Sequence, residues 1–220
     1  TPLMKMNAPF LEGKKLCLVS RRSFFTICGA LILPGTAVGQ NIRTPWQGEG
    51  PFYPDILPED FDNDLVKNGN SVIEAGGKIL NLRCSIVNIN SKPVKGITAE
   101  IWQTDFNGVY LHSSSFRRKM RDNMFQGFGR SMTDVNGNFF FRTIIPTEYP
   151  GRTPHIHLKL FKDGKNILTT QLYIHRHPLN EKDFLFKRLT SAEQKINSMN
   201  IIPKQKDKGQ EYQTSMRIVV

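Results

Sequence analysis

The feature that most constrains the fold is a succession of short segments in which apolar and polar residues alternate, separated by turn sequences. Residues 79–87 alternate for most of their length, and residues 98–103 and 138–143 are further segments of strand length. Gly, Asn and Asp are concentrated between them, as at residues 105–108 and 134–137. Because side chains alternate across a strand, these segments predict strands with one buried face.

The same pattern continues at residues 155–160 and 168–173, and the turn sequence 162–165 lies between them. Several short strands at this spacing predict an all-β fold with a two-sheet β-sandwich core. Only residues 182–198 favour a helix, so few short helices are expected.

Before the first predicted strand, residues 40–70 are rich in Pro, Gly and Asp and have no sustained period. This composition predicts an extended N-terminal arm that wraps the core. The large apolar side chains of the arm are expected to be buried against that core: Trp46, Phe52, Tyr53, Ile56 and Phe61.

Residues 1–39 have the order of an export signal. A basic segment that ends in Arg21 and Arg22 precedes an uncharged, apolar stretch at residues 26–38. This order is typical of a secretory signal peptide, and the paired arginines resemble the twin-arginine signal. A buried N-terminal helix is the alternative, although glycines and a proline interrupt the apolar stretch. We expect cleavage before Gln40 and a periplasmic or secreted location.

Composition limits the class of the mature protein. The whole sequence has a hydrophobic share of 39% and a charged share of 22%, as in a globular chain, and residues 40–220 are expected to form one domain. No apolar run reaches the roughly 20 residues of a membrane-spanning helix, so no membrane association of the mature form is expected. The formal net charge is +11, but it forms no clear patch. We therefore expect no nucleic-acid partner, and an anionic small substrate would use the same charge.

A His-Ile-His sequence provides the first candidate metal ligands. His155 and His157 are two residues apart on a predicted strand, so their side chains share a face. A ferrous site with two histidines and one carboxylate could recruit Glu148 or Asp134. A zinc site is poorly supplied, because Cys84 lies in a distant predicted strand and is interpreted as a core residue.

Tyrosines are the second set of candidates, because a phenolate is a hard anionic donor that favours a trivalent ion. Tyr149 precedes a Pro-Gly turn that would fold its ring towards the histidine strand. Tyr110 follows the turn after the strand that contains Trp102, which is itself interpreted as a core residue.

Five segments, in order, resemble the intradiol ring-cleavage dioxygenases, in particular the protocatechuate 3,4-dioxygenase type. The resemblance covers nearly the whole predicted mature chain. The segments are residues 44–54 (TPWQGEGPFYP), 100–110 (EIWQTDFNGVY), 129–134 (GRSMTD), 149–157 (YPGRTPHIH) and 170–183, which begins with TQLY and ends with PLNEKD.

The resemblance implies an oxidoreductase of aromatic compound catabolism with non-haem Fe(III). The ligands that it implies are Tyr110, Tyr149, His155 and His157. The implied partners are O2 and a small catechol-type diol, such as protocatechuate or catechol, whose ring opens between its two hydroxylated carbons to give a muconate-type diacid. Tyr149 would take up one of the two protons that the diol loses. The resemblance is also compatible with a homo-oligomer.

The resemblance implies roles for five further residues. Arg152 would stabilise charge on the substrate as oxygen arrives, and Gln171 would act with it. Tyr53, Gly151 and Tyr173 would line the substrate pocket. Gly151 stands where the protocatechuate enzymes carry Trp, which favours a bulkier or differently substituted catechol. The alternative from another class is a transthyretin-like β-sandwich that serves as a binding or structural module without catalytic iron.

Overall fold

The computed structural model describes residues 41–204 and 211–220, so the predicted signal segment 1–39 and the cleavage point before Gln40 lie outside the described residues. The strands are β1 (Ile79–Val87), β2 (Ile97–Trp102), β3 (Phe128–Met132), β4 (Asn138–Ile144), β5 (His155–Lys162), β6 (Lys165–Ile174), β7 (Ser198–Met199), β8 (Ile202–Lys204) and β9 (Glu211–Val219). Short helical segments are the 3-10 turns Arg118–Met120, Asn180–Lys182 and Phe186–Arg188 and the α-helix α1 (Ser191–Ile196).

The strands form two sheets. One has the order β4-β1-β9-β8 and the other the order β3-β2-β5-β6-β7. Neighbouring strands are antiparallel except for the parallel pairs β1–β9 and β6–β7. Buried side chains from both sheets form one hydrophobic core. The prediction of an all-β, two-sheet sandwich is therefore confirmed.

Strand β5 differs from a half-exposed strand because both of its faces are buried. Ile156, Leu158 and Leu160 point into the sandwich core. His155 and His157 alternate with them and therefore lie on the opposite, outer face of the sheet, where they are also buried. The cover on this outer face comes from the N-terminal arm and from the chain that follows β2.

The arm is extended as predicted, and it hydrogen-bonds to both sheets. The Thr44 N–H donates to the Val219 carbonyl oxygen at 3.0 Å, and the Gln47 N–H donates to Thr169 at 2.8 Å. The prediction that all of its large apolar side chains are buried is wrong, because Trp46, Ile56 and Phe61 are exposed, by 58%, 78% and 38%. The arm is not a strand of either sheet at this point, so the burial of its side chains follows no strict alternation. Here Thr44 and Gln47 are buried, and Trp46 between them faces solvent.

The predicted helix at residues 182–198 is much shorter in the structure. The Asp183 carboxylate accepts the N–H groups of Leu185 and Phe186, both at 3.0 Å, and favours a 3-10 turn there. The α-helix begins only at Ser191, after a reciprocal cap between Thr190 and Glu193. Within the described ranges, no helix is long and apolar enough to cross a bilayer.

Two turn glycines provide a test of this packing. Gly137 and Gly164 both have left-handed φ values, +76° and +74°. A Cβ on Gly137 would lie 2.5 Å from the Ile86 carbonyl oxygen, whereas a Cβ on Gly164 would have no atom within 4 Å. We expect Gly164→Ala to lower the free energy of unfolding by about 1 kcal/mol, the cost of the backbone conformation alone.

We expect Gly137→Ala to lower the free energy of unfolding by about 3 kcal/mol or more, because its methyl group also collides with backbone. Urea denaturation of both variants measures the difference. Equal losses for the two variants would contradict the described packing of this turn.

Candidate metal centre

His157 lies in a row of side chains that crosses four strands. In the pairing of β2 with β5, Trp102 is directly opposite His157. Gln171 of β6 is opposite His157 on the other side, and Phe128 of β3 is opposite Trp102. Directly opposed residues of antiparallel strands present their side chains on the same face. The register therefore places aromatic, imidazole and amide groups side by side on the outer face of the sheet.

Tyr110 is positioned by a buried turn after β2. The carboxylate of Asp105, which is fully buried, accepts the N–H groups of Asn107 and Val109 at 2.9 Å each. The Tyr110 N–H then donates to the Ser115 hydroxyl at 2.9 Å. These hydrogen bonds close a compact turn and send the phenol ring back over the histidines.

Three donor atoms converge at this point. The Tyr110 hydroxyl oxygen lies 3.2 Å from Nε2 of His155 and 3.0 Å from Nε2 of His157, and the two Nε2 atoms are 3.1 Å apart. The three residues are 2–3% exposed. The structure thus brings together three of the four predicted metal ligands in one buried cluster.

Tyr149, the fourth predicted ligand, flanks this cluster through a tight turn. The Arg152 N–H donates to the Tyr149 carbonyl oxygen at 3.1 Å, and Gly151 has a φ of +84°. Pro followed by a glycine with positive φ is the arrangement of a type II turn. The Tyr149 ring centroid lies 5.3 Å from that of Tyr110 and 5.8 Å from that of His155. The predicted folding of this ring towards the histidine strand agrees with the structure.

Arg152 is held by a network next to the cluster. Its Nε donates to the Asp183 carboxylate at 2.7 Å and its Nη2 donates to Oε1 of Gln171 at 2.6 Å. The Tyr173 hydroxyl also donates to Oε1 of Gln171, at 3.2 Å, and accepts from the Gln47 side chain at 2.9 Å. The structure therefore links the predicted residues Arg152, Gln171 and Tyr173 through one amide.

Sequence reasoning missed Asp183 as part of this network. Its side chain is fully buried in an ion pair with Arg152. Burial acts to lower the pKa of Arg152, but the hydrogen bond and charge of Asp183 outweigh it and raise the pKa. The available signal was the position of Asp183 at the end of the last segment that resembles the dioxygenases.

Tyr53 packs against the aromatic cluster that contains Trp102 and Tyr110. Its hydroxyl donates to the Glu100 carboxylate at 2.8 Å, and its ring packs edge-on against Trp102 and Phe128. Trp102 itself is fully buried, as the sequence suggested, but it belongs to a cluster with Tyr110 and Phe128 rather than to the sandwich core. The remaining predicted pocket residue, Gly151, lies at the tip of the Tyr149 turn.

The electrostatics of the cluster keep both imidazoles neutral. Burial, assisted by the charge of Arg152, lowers the pKa of His155 to about 3. Burial and the neighbouring His155 hold the pKa of His157 well below its ordinary value. Burial also raises the pKa of Tyr110 well above that of a free phenol. Neutral imidazoles offer lone pairs to a metal, and a bound cation would offset the cost of ionising the phenol.

These donors fit a hard, highly charged cation. Nδ1 of His155 donates to the Thr153 carbonyl oxygen at 2.6 Å, so its Nε2 carries a lone pair that faces the other two donors. Ligands about 2.1 Å from one ion and about 90° apart are separated by about 3 Å, as these atoms are. A phenol oxygen beside two imidazoles supplies the hard anionic donor that a trivalent ion prefers. The residues present therefore fit ferric iron.

The predicted carboxylate alternatives lie elsewhere. The Asp134 carboxylate accepts the N–H groups of Asn136 and Asn138 within its own turn, both at 2.8 Å, and Glu148 is exposed. Among residues 41–204 and 211–220, no group of three or more His, Cys, Asp or Glu side chains is arranged to hold a metal ion. The described residues thus supply phenols, and not a carboxylate, as oxygen donors at the two histidines.

Comparison with known proteins agrees with this site. A family model described as "Dioxygenase" matches residues 48–218. The chain is 36% identical over 141 residues to the protocatechuate 3,4-dioxygenase beta chain of Burkholderia cepacia, an alignment that covers 60% of each chain. It is 28% identical over 168 residues to catechol 1,2-dioxygenase of Acinetobacter baylyi, covering 68% of this chain and 52% of that one.

A solved structure matches over a larger share of its length. The dioxygenase domain of a dioxygenase–carbohydrate-binding protein fusion from Streptomyces sp. SirexAA-E has a TM-score of 0.61 and 30% identity to this chain. The match covers 81% of this chain and 98% of that one. The chain therefore belongs to the intradiol ring-cleavage dioxygenase family. It spans between half and two thirds of the length of the two curated relatives.

The Arg152–Asp183 pair provides a test of the site's electrostatics. Burial acts to raise the pKa of Asp183, but hydrogen bonds from Arg152 and from two backbone N–H groups outweigh it and lower the pKa. A carboxyl with a lowered folded-state pKa stabilises the fold above its unfolded pKa of about 3.9 and loses this contribution as the pH falls through the folded-state value. We expect Asp183→Asn to lower the free energy of unfolding by about 3 kcal/mol near neutral pH, because it leaves a buried guanidinium without its charge partner.

The difference in the free energy of unfolding between the wild type and Asp183→Asn should narrow as the pH falls below about 4, because the wild-type carboxyl then also becomes neutral. Denaturation curves between pH 2 and pH 7 would measure it, with the exposed Glu148→Gln as the matched control. A difference that is absent at neutral pH, or that stays constant into strong acid, would contradict the described ion pair.

Proposed function

We propose that this protein is an intradiol ring-cleavage dioxygenase that uses non-haem Fe(III) and O2 to open a catechol-type ring. The bond between the two hydroxylated carbons breaks, each of these carbons gains one oxygen atom of O2, and the product is a muconate-type diacid. The observation that carries the proposal is the buried convergence of the Tyr110 oxygen and the two Nε2 atoms of His155 and His157 within 3.0–3.2 Å of one another. Membership of the dioxygenase family supports it.

Tyr110, Tyr149, His155 and His157 are the residues that would hold the iron. When bound, ferric iron would supply the Lewis acidity that binds the two oxygens of the diol and makes the ring reactive towards O2. The protein keeps this centre dry, because Phe52 of the arm stacks on Tyr110 with ring centroids 5.1 Å apart. In a site that excludes water, fixed charges act more strongly on the reacting atoms.

Tyr149 is the residue best placed to exchange a proton with the diol. Tyr110 is 2% exposed, whereas Tyr149 is only half-buried at a turn that borders the adjacent cleft. Once ionised, its phenolate oxygen is the group that would take up one of the two diol protons. The histidines do not suit this role, because burial lowers the pKa of both and keeps them neutral.

Arg152 is the residue that would stabilise negative charge on the substrate. Its side chain is held from two sides by Asp183 and Gln171, so its position is fixed before any substrate binds. A charge that is fixed in advance needs no reorganisation during the reaction. We assign Gln171 the role of holding Arg152, and Tyr173 and Gln47 the role of orienting the Gln171 amide.

The cleft beside Tyr149 and Arg152 favours a diol that carries an anionic substituent. It encloses about 590 Å³ and is lined by Arg117 and Lys182 as well as by Arg152. Gly151 leaves space there, because a Cβ at this position would meet no atom within 4 Å. Because the charge of Arg152 is balanced by that of Asp183, the other charged side chains that line the cleft are the cations Arg117 and Lys182 and the anion Glu148. The lining of the cleft therefore carries an excess of positive charge. We propose that protocatechuate or a larger carboxylated catechol is a better substrate than catechol.

Aerobic turnover of the iron-loaded protein tests the proposed reaction. We expect consumption of one O2 per diol and a diacid that carries both oxygen atoms, identified by mass spectrometry after reaction with 18O2. The ratio kcat/KM should be higher for protocatechuate than for catechol. An extradiol product, or no turnover of protocatechuate, catechol or hydroxyquinol by the iron-loaded protein, would contradict the proposal and favour a β-sandwich that only binds its ligand.

The role of Arg152 predicts a specific loss in the same assay. We expect Arg152→Gln to lower kcat by about 10²–10³-fold while iron binding is retained, because the fixed charge acts on the substrate. Arg83→Gln, which removes an exposed arginine of the other sheet, is the matched control and should leave kcat unchanged. A similar kcat for both variants would remove Arg152 from the mechanism.

We also propose that the protein is exported by the twin-arginine pathway, on the basis of residues 1–39. In a bacterial host, the full chain should be found in the periplasm or medium with Gln40 as its first residue, as determined by mass spectrometry. Replacing both Arg21 and Arg22 by lysine should retain it in the cytoplasm, because the pathway reads the arginine pair. Replacing Lys14 and Lys15 by arginine is the control. Export of the variant without the arginine pair would contradict this proposal.

A further inference from the structure

We propose that Trp102 is a positioning residue for the metal ligand His157, and that its indole holds the imidazole by stacking where a hydrogen bond is missing. This inference rests on the proposed function only in identifying His157 as a ligand. The stack itself is a property of the protein chain. The two histidines of the centre are thus fixed by different physical interactions.

His155 is held by a hydrogen bond and His157 is not. Nδ1 of His155 donates to the Thr153 carbonyl oxygen at 2.6 Å. Nδ1 of His157 is buried and has no hydrogen-bond partner among the described residues. Histidines that ligate a metal almost always use their other ring nitrogen to donate to a carbonyl or carboxylate, which fixes the orientation of the ring. His157 therefore needs another restraint.

Trp102 provides this restraint. The indole and the imidazole lie with ring centroids 4.6 Å apart and an interplanar angle of 8°, so the two faces are parallel. The contact follows from the strand register, because Trp102 is directly opposite His157 in the pairing of β2 with β5. A parallel face at this distance prevents rotation of the imidazole about its Cβ–Cγ bond, since the ring edge would move into the indole.

Trp102 is in turn fixed by the arm. It is fully buried, and the Tyr53 ring lies edge-on to it at 5.0 Å and 81°. The Tyr53 hydroxyl donates to one carboxylate oxygen of Glu100. The other carboxylate oxygen accepts hydrogen bonds from Nε and Nη2 of Arg130, at 3.0 and 2.7 Å. The contacts of Tyr53 therefore support the position of Trp102.

The arm also closes the edge of the imidazole. A Cβ on Gly50 would lie 3.6 Å from Cε1 of His157, so the arm backbone passes within contact distance of the ring. Backbone at one edge and an indole face on one side restrain the imidazole in the plane in which its Nε2 lies 3.0 Å from the Tyr110 oxygen.

Two substitutions of Trp102 separate stacking from mere packing. Trp102→Phe retains an aromatic face, and Trp102→Leu removes it. Phe128→Leu is the matched control, because Phe128 lies next to Trp102 in the same cluster and is also fully buried. Thermal unfolding of the three variants reports the loss of packing, and competition with a chelator reports the dissociation constant for Fe(III).

We expect Trp102→Leu to raise the Fe(III) dissociation constant by about 10–100-fold, the range measured when the groups that orient a metal ligand are removed. Trp102→Phe and Phe128→Leu should change it by less than about 3-fold, although all three lower the unfolding temperature. An unchanged Fe(III) dissociation constant for Trp102→Leu would overturn the proposal. Equal losses of affinity in Phe128→Leu and Trp102→Leu would do so as well, because packing alone would then explain them.

A measurement on the iron-free protein separates this proposal from the proposed function. The ring current of a stacked indole shifts the imidazole protons of His157 upfield in the NMR spectrum. We expect this shift in the wild-type protein, a smaller one in Trp102→Phe, and none in Trp102→Leu. Absence of the shift in the iron-free wild type would overturn the stacking itself. Its presence in a protein that fails to bind iron would instead contradict the proposed function.

Discussion

The pairing register of strands β2, β5 and β6 is the constraint on which the centre depends. It sets Trp102, His157 and Gln171 side by side on the outer face of the sheet, while Ile156 and Leu158 fill the sandwich core behind them. A slip of one residue would turn the histidines into the core and the aliphatic side chains outwards. The hydrophobic core therefore fixes the ligand positions from the opposite face of the sheet.

Burial gives the centre its chemical character. The arm and the Tyr110 turn cover a sheet face that would otherwise be open to water, and this lowers the pKa of both histidines and raises that of Tyr110. Three donors without charge then face one another at about hydrogen-bond distance. A highly charged cation is the partner that would compensate an ionised phenol in such surroundings. Arg152 adds positive charge nearby, and its ion pair with Asp183 limits its repulsion of that cation.

Features that depend on local sequence were predictable. Strand β1 was predicted at its observed bounds because its residues alternate, and the Pro-Gly turn placed Tyr149 because the turn type follows from two residues. Features that depend on the pairing of strands far apart in the sequence could not be predicted. Strand β9 pairs in parallel with β1, more than a hundred residues away, and β3 contains a glycine that packs against the arm. Trp102 was interpreted as a core residue, because the sequence around it does not indicate that β5 and His157 lie opposite Trp102 on the outer face of the sheet.

We propose that phenol oxygens and imidazole nitrogens of this one cluster ligate a single ferric ion. Resonance Raman spectroscopy of the iron-loaded protein, excited in its visible absorption band, reports on bonds between iron and phenolate. We expect vibrations of iron-bound phenolate, with one set lost in Tyr110→Phe, another lost in Tyr149→Phe, and all retained in Tyr212→Phe. A spectrum without phenolate vibrations, or one that is unchanged in Tyr110→Phe, would contradict it.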